Sequence, residues 1–432
     1  MKANFITDKA KGVFSNKLLS SSVVYTMINF LNKGFPFFLL PILTRSLSTH
    51  DYGEYALYRA TTSLLLPFIG FNLSEYVMKN YFTKDEYPLS KKISISLFIN
   101  LLVCVLFLCV FSLISGDTIY NIVNIHKKYF LIAILITLCT SVNNIERNLL
   151  RSENNTKLYS ILVIGQTLLF FVGVMVLFFL KKIEINLLIY IELATFLLFG
   201  LVSIILLTKK YKATLYYDKK LLRLAVLFCL PLVTNSLFAY IFSLSDRFIM
   251  ANELDTKSVG VYNATVQLVS ILQILAVSFN TAWTPFLYSK LEQKEKIEKL
   301  RKMQIFAAGA FLVVCLIFYI VLANTFEIIV SKKYAEGIPL LKWLILGNFF
   351  QLLYWLNSTI LIYYKQNWYL AFFSFISMIL SLGLNLIFLE KYGIEFAAIV
   401  FLVSWIIITS MTFIKSDMIL RKQNNNINLS DV

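Results

Sequence analysis

The chain has 432 residues, of which 58% are hydrophobic and 15% charged, yet its formal net charge is +16. Soluble domains hold about 45–50% apolar residues, and a mean hydropathy of +0.73 places this chain among membrane proteins. The basic residues fall in short runs between apolar segments and form no continuous patch, which argues against nucleic-acid binding. The apolar runs are far longer than about 10 residues and do not alternate, which argues against a β-barrel.

A membrane-spanning helix needs about 20 apolar residues. Taken in chain order, the runs predict twelve spans: 20–44, 54–78, 93–115, 129–150, 158–180, 185–208, 221–246, 259–288, 303–325, 338–364, 367–389 and 396–420. The opening segment MKANFITDKAKGVFSNK is basic and polar, and no small-residue cleavage site follows the first run, so that run reads as a retained helix. Loops are short, and none leaves room for an extramembrane domain. The basic run KLEQKEKIEKLRK (290–302) reads as a solvated amphipathic connector on the membrane surface. The fold class is therefore an all-α polytopic membrane protein with about 12 transmembrane helices in two six-helix lobes. The expected divisions are an N-terminal lobe at 1–208, a cytoplasmic linker at 209–223, a C-terminal lobe at 224–420 and a disordered Asn-rich tail at 421–432.

Orientation follows from the loop charges, because cytoplasmic loops carry the excess of Lys and Arg. With the N-terminus inside, cytoplasmic segments hold 27 basic residues and the opposite side 11, with Lys33 and Arg59 left within spans. Both termini are then cytoplasmic, in a bacterial inner membrane.

The chain also repeats itself. Shifted by 207 residues, LTRSLSTHDYGEYAL (43–57) lies over MANELDTKSVGVYNA (250–264), pairing Thr49 with Thr256, Gly53 with Gly260 and Tyr55 with Tyr262. Shifted by 210, Tyr159 meets Tyr369 and Gly173 meets Gly383. Six helices per repeat make the two halves parallel, related by an axis along the membrane normal.

Ionisable residues are costly within spans and face a bundle interior or a wet cavity. The first helix sets Ser22, Thr26, Asn29 and Lys33 on one face, and the second sets Tyr55, Arg59 and Thr62. The fourth carries Asn144, Arg147 and Arg151. The seventh carries Ser236, Tyr240, Ser243 and Arg247, with Asn235 and Asp246 on an adjoining face. The eighth carries Asn263, Gln267, Ser270 and Gln273. Equivalent helices of the two halves thus bear the polar stripes, and the implied cavity is polar and net positive, suited to an anionic substrate. The candidate substrate-binding residues are Lys33, Arg59, Asn29, Arg147, Arg151, Asn235, Tyr240, Arg247, Asn263 and Gln267. Plainer readings stand beside them. Arg45 and Arg247 sit near span ends and are placed to snorkel; Asp246 and Arg247 are placed to satisfy each other; Glu75 and Lys79 share a face and are placed to pair; Glu192 suits a hydrogen-bonded structural role.

Metal, redox and hydrolytic chemistry find no support. The five cysteines lie within apolar runs without a CxxC pair, the two histidines are far apart, and no HExxH, P-loop, GxSxG or GxGxxG pattern occurs. No catalytic residue, metal site or cofactor is expected.

At the first, second, seventh and eighth helices the sequence resembles a known family. FPFFLLPILTRSLSTHDYGEYAL (35–57), SLSDRFIM (243–250), and VGVYNATVQL (259–268) followed by NTAWTPFLY (280–288) resemble signatures of the polysaccharide-exporting branch of the MOP superfamily, the O-antigen and capsule flippases. ERNLLRSENNTKLYS (146–160) and NLSEYVMKNYF (72–82) match further segments, with Lys79 where many relatives have Arg. The resemblance implies a MATE-like fold and a transporter rather than an enzyme. It implies movement of an undecaprenyl-diphosphate-linked oligosaccharide repeat unit across the cytoplasmic membrane by alternating access, coupled to an ion gradient. Asp246, Glu75 and Glu192 are then the candidate coupling carboxylates. The implied partners are the lipid-linked oligosaccharide, membrane lipids, and a polysaccharide polymerase with its chain-length regulator. The competing readings are a multidrug or lipid II exporter of the same superfamily, and a membrane O-antigen polymerase or glycosyltransferase. The first rival favours an acidic cavity, and the last a large extracytoplasmic loop.

Overall fold

The computed structural model describes residues 27–430 except 29, 33, 84–86, 215, 294 and 296, with side chains to 422. Every secondary-structure element among them is helical. A first helix, α1, runs continuously through 34–46. It is followed by α2 (Thr49–Ile69), α3 (Leu73–Phe82), α4 (Leu89–Leu113), α5 (Gly116–Val123), α6 (Lys127–Ser152), α7 (Thr156–Phe179) and α8 (Ile185–Tyr211). Then come α9 (Lys219–Glu253), α10 (Thr256–Glu292), α11 (Ile297–Ile329), a 3-10 helix at Lys332–Gly337, α12 (Leu340–Tyr363), α13 (Asn367–Tyr392) and α14 (Ile394–Ser430).

Ten of these helices, α4 and α6 to α14, are long and apolar enough to cross a membrane. Three expectations need correction. The second apolar run is broken, because Phe71 and Asn72 take left-handed φ values of 47° and 50° and divide it into α2 and α3. A short helix, α5, forms where the hydropathy reads as a loop. Most of the expected surface connector at 290–302 is absorbed into the ends of α10 and α11, and Arg301 turns inward from it.

The chain divides into two compact units: 1–35 with 61–120 and 125–236, and 36–60 with 121–124 and 237–432. In the first, α6 packs against α3, α4 and α8. Leu73, Val77, Ile93, Ile95, Ile145 and Leu149 form its apolar centre. In the second, α12 packs against α10, α11 and α14. The apolar windows of α6 and α12 are 67% and 61% buried, against 22% for α11, yet α12 is the least apolar of the ten spans and α11 the most. Lipid tails are as apolar as leucine, so outward faces carry the hydrophobic residues and small or polar side chains pack inside.

Within the second unit the sequence repeat becomes geometry. The helices α2 and α10 begin at the aligned residues Thr49 and Thr256. The residue before each is an N-cap that satisfies an orphan N–H. Ser48 Oγ accepts the Asp51 N–H at 3.0 Å, and Asp255 Oδ1 accepts the Ser258 N–H at 2.6 Å. The end of α1 caps α11, and the 3-10 helix caps α1. Arg45 donates to the Ile328 carbonyl at 2.5 Å, while Lys333 donates to the carbonyls of Arg45 and Leu47 at 3.1 and 2.8 Å. Cations suit the carbonyl end of a helix, so Arg45 serves as a cap and not only as a snorkelling head. Burial pushes the Tyr334 hydroxyl above its usual range, and that hydroxyl donates to the Ser48 carbonyl at 3.3 Å.

Candidate functional site

The helix α9 enters the second unit after Ser236, and its far end carries Asp246 and Arg247. Arg247 does not snorkel; it is 8% exposed. Its Nε donates to Asn263 Oδ1 at 3.1 Å, and its Nη1 donates to the Ser243 carbonyl at 2.9 Å and to Asp246 Oδ1 at 3.1 Å. Its guanidinium also lies 5.9 Å from the Tyr262 ring centroid. Tyr262 in turn donates its hydroxyl to Asp246 Oδ2 at 2.7 Å. One carboxylate thus accepts from a cation and a phenol, and the repeat tyrosine Tyr262 closes the ring of contacts.

This cluster walls a polar cavity of about 200 Å³ inside the second unit. The opposite walls come from α12, α13 and α14: Asn348 and Gln351, Ser381 and Asn385, and Ser404 with Trp405. Asn385 Oδ1, Ser404 Oγ and Trp405 Nε1 are buried without a hydrogen-bond partner. Buried polar groups are nearly always paired with protein, water or an ion, so these orphan groups mark a hydrated or ion-holding space. It has room for water molecules or a small ion.

The remaining candidates are distributed. Gln267 accepts the Tyr52 hydroxyl at 2.8 Å and donates to the Pro36 carbonyl, tying α10 to α1 and α2. Arg59 is an exposed residue of α2, flanked by buried Tyr58 and Ala60. On α9, Asn235 is exposed and Tyr240 half-buried. Lys33 and Asn29 lie outside the described residues. In the first unit, Arg147 donates to Gln166 on α7. Arg151 stands 5.5 Å from the Tyr159 ring centroid. Glu75 and Lys79 do not pair: Glu75 accepts from Asn148 at 3.2 Å, and Lys79 stands over the Phe228 ring at 4.5 Å. Glu192 is buried in α8. Of the three candidate carboxylates, Asp246 is therefore the one that borders the polar cavity.

Reading the sequence missed Tyr262 as Asp246's partner and missed the far walls altogether. The signal for Ser381 and Asn385 was their spacing of four within an apolar helix, which puts both on one face. Reading also missed a second buried cluster. Arg301 donates to Gln304 at 2.7 Å, Asn357 at 2.9 Å, Ser416 at 3.1 Å and Asp417 at 3.3 Å, joining α11, α12 and α14.

Ten helices long and apolar enough to cross a membrane, arranged in a MATE-like fold, define a multi-pass membrane protein. The structure is similar to the inward-facing conformation of a multidrug resistance MATE family transporter of the MOP superfamily, with a TM-score of 0.73 at 13% identity over 91% of this chain and 96% of that one. It is also similar to the lipid II flippase MurJ in its inward closed conformation, with a TM-score of 0.69 at 15% identity over 95% and 93% of the two chains. Such identities speak for the fold alone. No curated protein matches the chain by sequence. The chain belongs to the polysaccharide biosynthesis protein family, whose model matches residues 18–291.

Proposed function

We propose that this transporter is a flippase for undecaprenyl-diphosphate-linked oligosaccharide repeat units of O-antigen or capsule type. The observation that carries the reading is the family match over residues 18–291, which covers the basic and polar stripes of the first, second, fourth, seventh and eighth expected helices. Lys33 and Arg59 attract the diphosphate, since opposite charges attract more strongly where screening is poor. Arg147, Arg151, Asn235, Tyr240, Asn263 and Gln267 offer the hydrogen bonds a glycan needs in place of water. The lipid tail stays in the bilayer. Alternating access is driven by an ion gradient, with the carboxylate of Asp246 beside its polar cavity as the coupling group. The membrane is the bacterial inner membrane with both termini inside, as the loop charges favour, and a polymerase with its chain-length regulator consumes the product.

The test is surface polysaccharide in a flippase-null strain complemented by each variant at matched membrane level. Lys33→Ala and Arg59→Ala each lose most export, and Lys33→Arg retains a good part. A lysine at mid-span costs about 2.5–3.5 kcal/mol on insertion scales, which packing alone does not justify. Normal surface polymer with both alanine variants sinks the cationic site. Rescue of cells lacking lipid II transport, without rescue of polysaccharide export, assigns the chain to the lipid II reading instead.

A further inference from the structure

In the second unit, α10 and α11 part to leave an apolar groove of about 730 Å³. Phe279, Trp283, Phe286, Phe306 and Val314 are among the residues that line it. At its mouth, beside the turn that joins the two helices, stand Lys299 and Lys302. We propose that this groove binds one anionic diacyl glycerophospholipid, its phosphate on Lys302 and Lys299, its ester carbonyl on Trp283, and an acyl chain along the aromatic wall.

Three observations fix the occupant. The mouth is cationic: Lys302 makes no hydrogen bond or ion pair with any other described residue, while Lys299 shares Glu295 at 3.0 Å with Lys290 at 3.7 Å. The wall is apolar, as a lipid chain requires. Trp283, one of the lining residues, is 7% exposed, and its Nε1 is a buried donor without a partner. An unpaired N–H is costly in a bilayer, where no water reaches it. Trp283 lies nine residues before the end of α10, and Phe306 nine residues after the start of α11, so the two share one depth. That depth is four residues, about 6 Å, below Lys302, which is where the glycerol ester lies beneath a phosphate. A polyprenyl phosphate offers the anion and the chain but no ester acceptor at this level. The bound lipid fills the gap between α10 and α11 and holds their spacing.

The experiment is native mass spectrometry of the purified full chain in detergent, titrated with diester phosphatidylglycerol, diether phosphatidylglycerol, phosphatidylcholine and undecaprenyl phosphate. Diester phosphatidylglycerol binds most tightly, as one retained lipid. Lys302→Gln weakens it about fivefold, the effect of one cation at an anionic surface, and adding Lys299→Gln weakens it further. Trp283→Phe abolishes the preference for ester over ether, and Ala310→Trp, which fills the groove, removes the retained lipid. The lysine variants change exposed side chains only, so the fold is preserved. Unchanged phosphatidylglycerol binding in the double lysine variant overturns the site. Equal binding of phosphatidylcholine overturns its charge selectivity, and equal binding of the diether lipid overturns the role of Trp283. Tighter binding of undecaprenyl phosphate overturns the choice of occupant.

Discussion

Gly53 on α2 and Gly260 on α10 face one another, each where the other's helix begins. A Cβ added to Gly53 meets the Thr256 carbonyl oxygen at 1.9 Å, and one added to Gly260 meets the Thr49 carbonyl oxygen at 2.1 Å. Thr49 and Thr256 are partners in the 207-residue repeat, as the two glycines are. The contact is therefore reciprocal, as across a two-fold axis. Small residues let membrane helices approach to backbone contact, and neither carbonyl has a flexible atom to move aside.

Substituting either glycine breaks that approach. Gly53→Ala and Gly260→Ala are each expected to cost about 1–3 kcal/mol, the usual range for overpacking, and to lower the melting temperature of the purified protein. Gly309→Ala on α11 is the control, since a Cβ there meets nothing within 4 Å. Alanine gains about 1 kcal/mol of helix propensity over glycine, so that variant is neutral or more stable. Equal melting temperatures for all three proteins contradict the backbone contact.

The pair Asp246 and Arg247 separates structure from coupling. Arg247→Met leaves a carboxylate held by the Tyr262 hydroxyl and one backbone N–H but by no cation, and removing one partner of a buried pair costs about 3–5 kcal/mol. Its membrane level falls. Asp246→Asn with Arg247→Met restores that level, because no uncompensated charge remains. Export stays absent in the double variant if Asp246 carries the coupling ion. Normal export there, measured as surface polymer, reduces Asp246 to the role of neutralising Arg247.

Arg301 is expected to behave as a structural clamp. Arg301→Ala takes a donor from acceptors on α11, α12 and α14, although Asn357 keeps the Ser416 hydroxyl at 3.1 Å and Asp417 keeps Arg421 at 2.6 Å. The loss falls at the lower end for a broken buried pair, about 3 kcal/mol. Arg301→Lys recovers less than half of it, because an ammonium lacks the planar fork that reaches several acceptors at once. Thermal unfolding in detergent reads the difference.

Asp218 gives the start of α9 a pH dependence. Its Oδ1 accepts the Leu221 N–H at 2.9 Å, and that bond holds the carboxyl below its usual value near 3.8. A carboxyl depressed in the folded state adds stability that is present above the unfolded value and lost as pH falls through the folded one. Hydrogen exchange at residues 219–225 should thus stay slow at pH 5 and quicken below pH 4 relative to its intrinsic rate, with Asp218→Asn removing that step. A flat profile in the parent protein argues against the cap.

The sequence by itself determined what is local or periodic. Runs of about 20 apolar residues define spans because the bilayer core has a fixed thickness, and nearly all of those runs became helices. The paired threonines and glycines were legible as a repeat, and the structure added the Ser48 and Asp255 caps before them. Only the tertiary structure decided which charges meet. Nothing in the spacing distinguishes an Arg247 that reaches water from one held by Asn263, or pairs Glu75 with Asn148 in place of Lys79. The walls at Asn385 and Ser404 were equally silent, since a polar residue in an apolar helix looks the same whether it packs a seam or borders a cavity. The repeat itself does not extend to these groups: Asp246, Arg247 and Asn263 align with Leu39, Leu40 and Ala56. Backbone contacts duplicate with the chain, whereas the polar cluster forms where α9 and α10 bring side chains sixteen residues apart, Arg247 and Asn263, within hydrogen-bond reach.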